Sequence, residues 1–461
     1  MTPFRYHVFC CDQRKPEGAP SCSAHGSLAI LDALRREVAA RQLSDTVAVT
    51  SCGSLGLCEN GPNLVVYPEG VWYSHVTPAD VPEIVRSHFE GGRPVERLVR
   101  QDEAALKQEI AGNRAKFVAM AQAREAAGAV PDELAETVRG YMQSRVVLTG
   151  LELDVFTVIA RLTQEAGATA CRSERLSTAL KTDPRATTTL LDALVALGLL
   201  SKKDGVYANA PSAARFLVAG AKDDATSALK HNLSLWKTWS KLTEVVRTGK
   251  PAEHDELDSR GDDWTTPFIA AMHKNAALRA PMVVKAVGAE AARRMIDIGG
   301  GSGAYSIAFA QANPALAVDV FDLVTVVPIA TGHIAAAGLT DRVRTRIGDL
   351  RSESFGSGYD LALLSAICHM LGPDENRDLL RRVFACLASG GRLVIQDHVM
   401  DDDKTTPRAG AMFAINMLVG TPHGSTFSQK EYSDWLVEAG FEPPSRIKLG
   451  GPNDLLVAKK K

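Results

Sequence analysis

The run Met295-Ile296-Asp297-Ile298-Gly299-Gly300-Gly301-Ser302-Gly303 constrains the fold of this chain more than any other segment. A short apolar stretch suits a buried strand, and the glycines after it suit a turn whose backbone lies bare at the start of a helix. From there strands and helices alternate. Met295–Ile298, Ala317–Phe321, Val343–Ile347, Leu361–Ser365 and Arg392–Gln396 read as strands. That rhythm predicts an α/β domain built on a doubly wound parallel sheet. A terminal pair, Ser445–Leu449 and Asp454–Ala458, is expected to close its edge.

Ligands of such sheets sit outside the carboxyl ends of the strands, where the glycine turn offers a helix N-terminus. The turn alone is weak evidence, because dinucleotide-binding folds place glycines there too. Two further strand ends sharpen it. One finishes in Asp322, where a carboxylate can accept from both hydroxyls of a ribose, and the next in Gly348-Asp349, placed to contact an adenine. Either aspartate also suits a helix cap or a turn, and for Asp349 both readings stay open.

With 461 residues the chain exceeds one ordinary core, so two or three domains are expected. A net charge of −2 supplies no general pull toward nucleic acid or an anionic membrane. No stretch of about 18 apolar residues is present, and the first residues lack the pattern of a signal peptide. A cytoplasmic protein is expected, in which eight cysteines are thiols or metal ligands rather than disulfides.

Four segments follow from the pattern. Residues 1–98 form a small α/β domain: a strand at Tyr6–Cys11, a helix over Ser27–Ala40 with Leu28, Leu31 and Leu34 on one side, and a strand at Thr46–Thr50. A hairpin of Leu64–Tyr67 and Val71–Tyr73 and a helix from Ala79 to Phe89 complete it. Residues 99–131, charged and rich in alanine, read as a helical linker. Residues 132–290 are mostly helical. Within them Asp183-Pro184-Arg185 starts a helix, and Lys202-Lys203-Asp204-Gly205 turns a hairpin, the outline of a winged helix. The sheet domain takes 291–461.

Five cysteines crowd the first 58 residues. Iron–sulfur clusters need soft thiolates, usually four for two irons. Cys11 and Cys22 lie across one loop, and Cys52 and Cys58 lie in another. Gly53 and Gly56 let that second loop bend and aim amides at sulfur. Separate buried thiols are one alternative reading. A zinc site is another, which the spacing fits badly because neither pair forms a tight knuckle. Cys10 alternates away from Cys11 along its strand and is expected in the core.

Residues 4–98 resemble the thioredoxin-like 2Fe-2S ferredoxins. The likeness is carried by His7-Val8-Phe9 two residues before Cys11, by Leu55-Gly56-Leu57-Cys58-Glu59-Asn60-Gly61-Pro62, by Val65-Val66-Tyr67-Pro68-Glu69-Gly70-Val71-Trp72-Tyr73 and by Gly91-Gly92-Arg93-Pro94-Val95-Glu96-Arg97-Leu98. It implies a 2Fe-2S cluster on Cys11, Cys22 and Cys58 and an electron-transfer partner. The family's remaining ligand position holds Ser54, so Cys52, two residues earlier, is expected to substitute.

Residues 132–461 resemble the caffeate and hydroxyindole type of S-adenosylmethionine-dependent O-methyltransferase. Asp297-Ile298-Gly299-Gly300-Gly301-Ser302-Gly303, Val320-Phe321-Asp322-Leu323, Arg346-Ile347-Gly348-Asp349, Ile367-Cys368-His369, Gly390-Gly391-Arg392-Leu393-Val394-Ile395-Gln396-Asp397 and Tyr432-Ser433-Asp434-Trp435-Leu436-Val437-Glu438-Ala439-Gly440-Phe441 carry the match. The resemblance implies an intertwined homodimer, with the winged-helix outline serving dimerisation. It implies that Asp297, Gly299, Gly301, Gly303, Asp322 and Asp349 hold S-adenosylmethionine, and that the helix containing Phe268 and Met272 covers the site. His369 falls on the general base and Asp397 on an acid flanking it; a lone histidine at a strand end is otherwise a solvated loop residue. Met370-Leu371 replace the family's Asp-Trp, and Thr426 stands where a second acid is usual. His273 and His423 are weaker pocket candidates. Cys171 and Cys386 are expected in the core, and Cys368 in strand-end packing.

The leading expectation is methylation of a small hydroxyl acceptor, aromatic or polyketide-like, with the ferredoxin domain sensing redox state or passing electrons. A non-methylating reaction on the same fold, fed by the cluster, is a second reading. A redox-responsive winged-helix regulator is a third. It is opposed by the lack of a basic excess, since only Arg185 lies on Pro184–Leu200.

Overall fold

The computed structural model describes residues 3–13, 15, 20–252 and 262–461, and for 262–268, 270, 271 and 275 the backbone alone. Two units divide the chain, 1–140 and 141–461.

In the first unit β1 (Tyr6–Cys11), β2 (Val47–Cys52), β3 (Leu64–Tyr67) and β4 (Val71–Tyr73) form a sheet of order β2-β1-β3-β4. β1 and β2 run parallel, and the other pairs are antiparallel. The second strand runs past the expected Thr50 because its pairing with β1 continues through Cys10–Ser51 and Cys11–Cys52. The Ser27–Ala40 helix buries Ile30, Leu31, Leu34 and Val38 on this sheet. Leu28, expected on the same side, is exposed instead. At about 100° per residue it stands roughly 120° around the helix from Leu34. The helix expected over Ala79–Phe89 begins at Val81 and widens into a π-turn over Val85–Glu90. Residues expected as a linker form a helix over Glu103–Ala126, capped by Asp102, whose side chain accepts from the Ala105 N–H at 2.9 Å.

The second unit begins with helices, among them Val155–Ala166, Ser173–Leu180 and Pro184–Ala196. Asp183 caps the last of these, as its Asp-Pro start predicts. The hairpin of β5 (Leu200–Lys203) and β6 (Val206–Asn209) follows. Helices Thr226–Trp239 and Asp262–Val287 lead to the main sheet.

That sheet contains β7 (Arg294–Ile298), β8 (Ala317–Asp322), β9 (Val343–Ile347), β10 (Tyr359–Ser365) and β11 (Leu387–Asp397), all parallel. A short pair, β12 (Val399–Met400) with β13 (Phe427–Ser428), lies outside it. β14 (Ser445–Ile447) and β15 (Asp454–Lys459) finish the main sheet, with β15 antiparallel to β11. The order is β14-β15-β11-β10-β7-β8-β9. Successive residues of β10 face opposite cores. Ala362 and Leu364 pack with Leu379, Leu380, Tyr432 and Trp435, while Leu361 and Leu363 pack with Val283, Phe309 and Ile334. Both faces are thus covered by helices, which is why the central strands read as continuous apolar runs. The chain steps from β7 outward to β9 and then returns to β10 on the other side of β7. That reversal opens a crevice at the carboxyl ends of β7 and β10. Among the described residues no helix is long and apolar enough to cross a membrane.

Candidate active site

The crevice is floored by the glycine turn. Gly299, Gly301 and Gly303 have φ of +69°, +57° and +75°, a region that side-chain-bearing residues rarely adopt. A Cβ on Gly299 would lie 2.3 Å from Ile367 Cδ1, whereas one on Gly301 would meet nothing within 4 Å. The turn is pressed against the core on one side and bare on the other. Asp322, at the end of β8, accepts from the Gly301 and Leu323 N–H groups, each at 2.7 Å. Asp297 is buried beneath the turn. Its Oδ2 accepts from Ser306 Oγ at 2.7 Å, its Oδ1 has no protein partner, and burial pushes its carboxyl up to about 6. A bare turn and an unpartnered carboxyl oxygen fit a polar ligand lying along this backbone.

His273 reaches the turn from the Asp262–Val287 helix, on which Met272 is half-buried. His273 Nδ1 is 2.8 Å from Ser302 Oγ, and its ring stacks on His333 at 3.8 Å. The Phe268 side chain lies outside the described residues. Asp349 closes a turn of its own: it accepts from the Arg351 N–H at 2.8 Å and pairs with the Arg351 guanidinium at 3.0 Å. Burial would raise this carboxyl, but Arg351 outweighs it and holds the group below its ordinary range.

Beside the turn, the chain leaves β10 through Ala366, at φ +59°, into a 3-10 turn over Cys368–Met370. The Asn376 carboxamide pins this turn by donating to the Cys368, Leu371 and Gly372 carbonyls. His369 is thereby held with 7% of its surface exposed, against Asp397, which is fully buried at the end of β11. His369 Nδ1 lies 2.7 Å from Asp397 Oδ1, the His369 N–H donates to Oδ2 at 3.2 Å, and the His398 N–H donates to Oδ1 at 2.8 Å. A carboxylate only accepts, so it fixes the imidazole proton on Nδ1 and leaves a lone pair on Nε2.

The Phe413 ring meets His369 edge-on at 4.8 Å and stacks on His398 at 4.3 Å. Burial lowers the His398 pKa, and its Nδ1 has no partner. Thr426 donates to the Gly410 carbonyl at 3.3 Å. The loop before it holds His369 through the backbone, Ser425 N–H to His369 O at 2.9 Å. His423 packs on Gly372, and Leu371 lies in the core. Cys368 is sealed in that core, and burial pushes its thiol well above its ordinary value. Cys171 and Cys386 are also core residues. Asn376, His398 and Phe413 were not singled out in the sequence. His398 had one signal, its place next to Asp397; Phe413 had none.

In the first unit Cys22 interacts with Cys11 and Cys58, lowering their thiols while they raise its own. Asn63 Nδ2 donates to Cys22 Sγ at 3.3 Å, Ser54 Oγ lies 3.3 Å from Cys58 Sγ, and the Leu55 backbone reaches Cys11. Cys52 stands opposite Cys11 in the β1–β2 register, and burial raises its thiol to about 11, helped by Cys11 and Asp12. Cys10 points into the core, as alternation predicts, with Sγ 3.8 Å from the Ser27 carbonyl. Among the described residues no three histidine, cysteine, aspartate or glutamate side chains are arranged to hold a single metal ion. Thiols accompanied by N–H and O–H donors are of the donor type that inorganic clusters take.

Residues 239–442 match an O-methyltransferase domain, and residues 135–219 match an O-methyltransferase dimerisation domain. A 3-hydroxy-5-methyl-1-naphthoate 3-O-methyltransferase from Streptomyces sahachiroi is 32% identical over 327 residues, covering 70% of this chain and 92% of its own length. A tetracenomycin polyketide synthesis 8-O-methyl transferase from Streptomyces glaucescens is 27% identical over 342 residues, covering 72% of this chain and 97% of its own. Among solved structures, an O-methyltransferase family protein from Burkholderia thailandensis matches with a TM-score of 0.64 at 26% identity, over 72% of this chain and 99% of that one.

Proposed function

The chain belongs to the S-adenosylmethionine-dependent O-methyltransferase family, and on that premise we propose that it methylates a hydroxyl on a small aromatic or polyketide-like acceptor. The naphthoate and tetracenomycin activities named for two relatives support that acceptor class. The observation that carries the reading is the His369–Asp397 pair at 2.7 Å, set against an aromatic ring at the carboxyl edge of the sheet.

S-adenosylmethionine, when bound, supplies a methyl group on a positively charged sulfur that leaves as a neutral thioether. Gly299, Gly301 and Gly303 present the bare backbone that would hold it, with Asp322 at the ribose and Asp297 and Met272 beside it. Asp349 is assigned the adenine end; in this role its pairing with Arg351 leaves the loop backbone as the contacting surface. Phe268 is assigned to the covering helix. His369 Nε2 takes the proton of the acceptor hydroxyl, and Asp397 holds the ring in the tautomer that makes this possible. The positive charge that forms on the imidazole faces the buried Asp397 carboxylate. Buried Leu371 follows His369 in the chain, and the half-buried Phe413 ring covers the imidazole edge-on, which limits water at the proton transfer.

The dimerisation-domain match supports a homodimer. Residues 132–290 are assigned to that role and 291–461 to donor binding. Residues 1–98, joined through 99–131, are assigned as a ferredoxin domain with a 2Fe-2S cluster on Cys11, Cys22 and Cys58, the fourth place falling to Cys52 or Ser54. An electron-transfer partner follows from that assignment. The test is a methylation assay on anaerobically purified chain with hydroxynaphthoates and related phenols, in the oxidised and reduced states. Methylated product that disappears in His369→Ala supports the reading. Donor binding with no product from any phenol rejects it in favour of another reaction on this fold.

A further inference from the structure

We propose that His273 is a positioning residue for the methyl-donor site: stacked on His333, it ties the Asp262–Val287 helix to Ser302 of the glycine turn, and the tie gives way when both imidazoles carry a proton. This rests on the reading of that turn as the S-adenosylmethionine site.

Three elements meet at the pair. His273 comes from the Asp262–Val287 helix, Ser302 from the turn, and His333 from the Val327–Ala336 helix that follows β8. His273 Nδ1 lies 2.8 Å from Ser302 Oγ, and the two imidazole rings stack at 3.8 Å with their planes 10° apart. Ser302 is buried between Gly301 and Gly303, both at positive φ, so whatever holds its side chain holds the bare backbone offered to the donor. The Val327–Ala336 helix also backs the turn: a Cβ on Gly303 would lie 3.7 Å from Cγ1 of Ile334, the residue after His333.

One proton on the pair leaves a cation facing a neutral ring. Two protons place like charges 3.8 Å apart. Protons reach the rings through an open cavity of about 460 Å³ lined by His273, Lys274, Ala277, Leu278 and His333. Among the described residues, the surrounding charges offer little compensation. The long helix itself brings Lys274, Arg279 and Lys285. The Ala304–Ala312 helix has only the phenol of Tyr305, and the Val327–Ala336 helix has only His333. The Thr226–Trp239 helix, which packs on the long helix, brings Lys230, His231 and Lys237, and the two aspartates before it, Asp223 and Asp224, lie within reach of Lys274. β9, under the Val327–Ala336 helix, brings Arg344 and Arg346. The carboxylates of β8 are engaged elsewhere, Asp319 by the Tyr359 hydroxyl and Asp322 by the Gly301 and Leu323 N–H groups.

Burial, and then His333, hold the His273 pKa below its ordinary value while the stack is formed. Two histidines freed from each other titrate near about 6.5. A base whose pKa is lowered in the closed arrangement favours that arrangement at neutral pH and loses it as pH falls below the unperturbed value. Donor binding, which needs the turn in place, therefore weakens in acid.

Calorimetry on the full chain with S-adenosylmethionine and S-adenosylhomocysteine, between about pH 8 and about pH 5.5, tests this, with circular dichroism confirming that the chain stays folded. At the lower pH the freed pair has taken up nearly two protons and the stack no more than one, so wild-type affinity for either ligand is expected to fall roughly fivefold or more. His333→Phe keeps a stacked ring without a second charge, and its affinity is expected to fall less than about twofold over the same range. His273→Asn keeps a partner for Ser302 that takes no proton, and it should be equally flat. His273→Ala should bind more weakly at both ends of the range. Asp297 titrates in this window in all four chains, so the difference between wild type and the variants is what reports the pair. A flat wild-type profile, or the wild-type fall retained in His333→Phe and His273→Asn, overturns the proposal. So does a fall confined to S-adenosylmethionine, which marks repulsion of its sulfonium rather than loss of the turn. A chain that binds neither ligand at any pH rejects the donor-site reading itself.

Discussion

Replacing Asp397 by asparagine keeps its shape and removes its charge, so it isolates what the carboxylate does for His369. Asp397 accepts from His369 Nδ1 at 2.7 Å and from two backbone N–H groups at 3.2 and 2.8 Å. A hydrogen bond to a buried charged group contributes about 1.5–3 kcal/mol. That bond strengthens as the imidazole takes the acceptor's proton, so most of its loss falls on the transition state. At about 1.4 kcal/mol per decade, kcat should fall roughly 10- to 100-fold. The KM for S-adenosylmethionine should stay within about twofold, because the glycine turn and Asp322 are untouched. His369→Ala should cost roughly a hundredfold or more. Both deficits should shrink as pH rises toward the ionisation of a phenol, near about 10, where the acceptor arrives without its proton. Initial rates across that range, with donor affinity measured by calorimetry, provide the check. Full activity of His369→Ala at neutral pH would falsify the base assignment and leave proximity as the source of catalysis.

Asp322→Ala removes the acceptor for the Gly301 and Leu323 N–H groups along with the proposed ribose contact, and calorimetry should show S-adenosylmethionine binding at least tenfold weaker, with NAD not competing. Asp297 titrates near about 6 in the folded chain against an ordinary 3.8, so the fold binds the extra proton and stability should decline as pH rises through that window, by about 3 kcal/mol in all. Thermal melts of Asp297→Asn should lack this decline; a wild-type curve flat between the two values refutes it. Leu134, Val138, Tyr141 and Met142 form an exposed apolar stripe along the Asp132–Glu152 helix, so Tyr141→Asp combined with Val138→Glu should yield monomers in light scattering.

How far each feature could be read from the sequence depended on how local its cause is. The glycine turn and the core strands were legible because their signals, positive φ and apolar runs, lie within a few consecutive residues. The His369–Asp397 contact spans 28 positions, yet it follows from two strands whose carboxyl ends must be neighbours once the sheet is doubly wound. Strand ends were less legible. The last parallel strand was expected from Arg392, but it starts at Leu387, since Gly390 and Gly391 look like a turn until the Gly390 N–H and Gly391 carbonyl bond to Lys460. Phe413 reaches His369 from a helix whose placement no local pattern encodes. The Glu103–Ala126 helix is the same kind of case: it bonds back to the loop after β2, Asn113 donating to the Gly56 carbonyl, a contact between residues 57 positions apart that no local pattern announces.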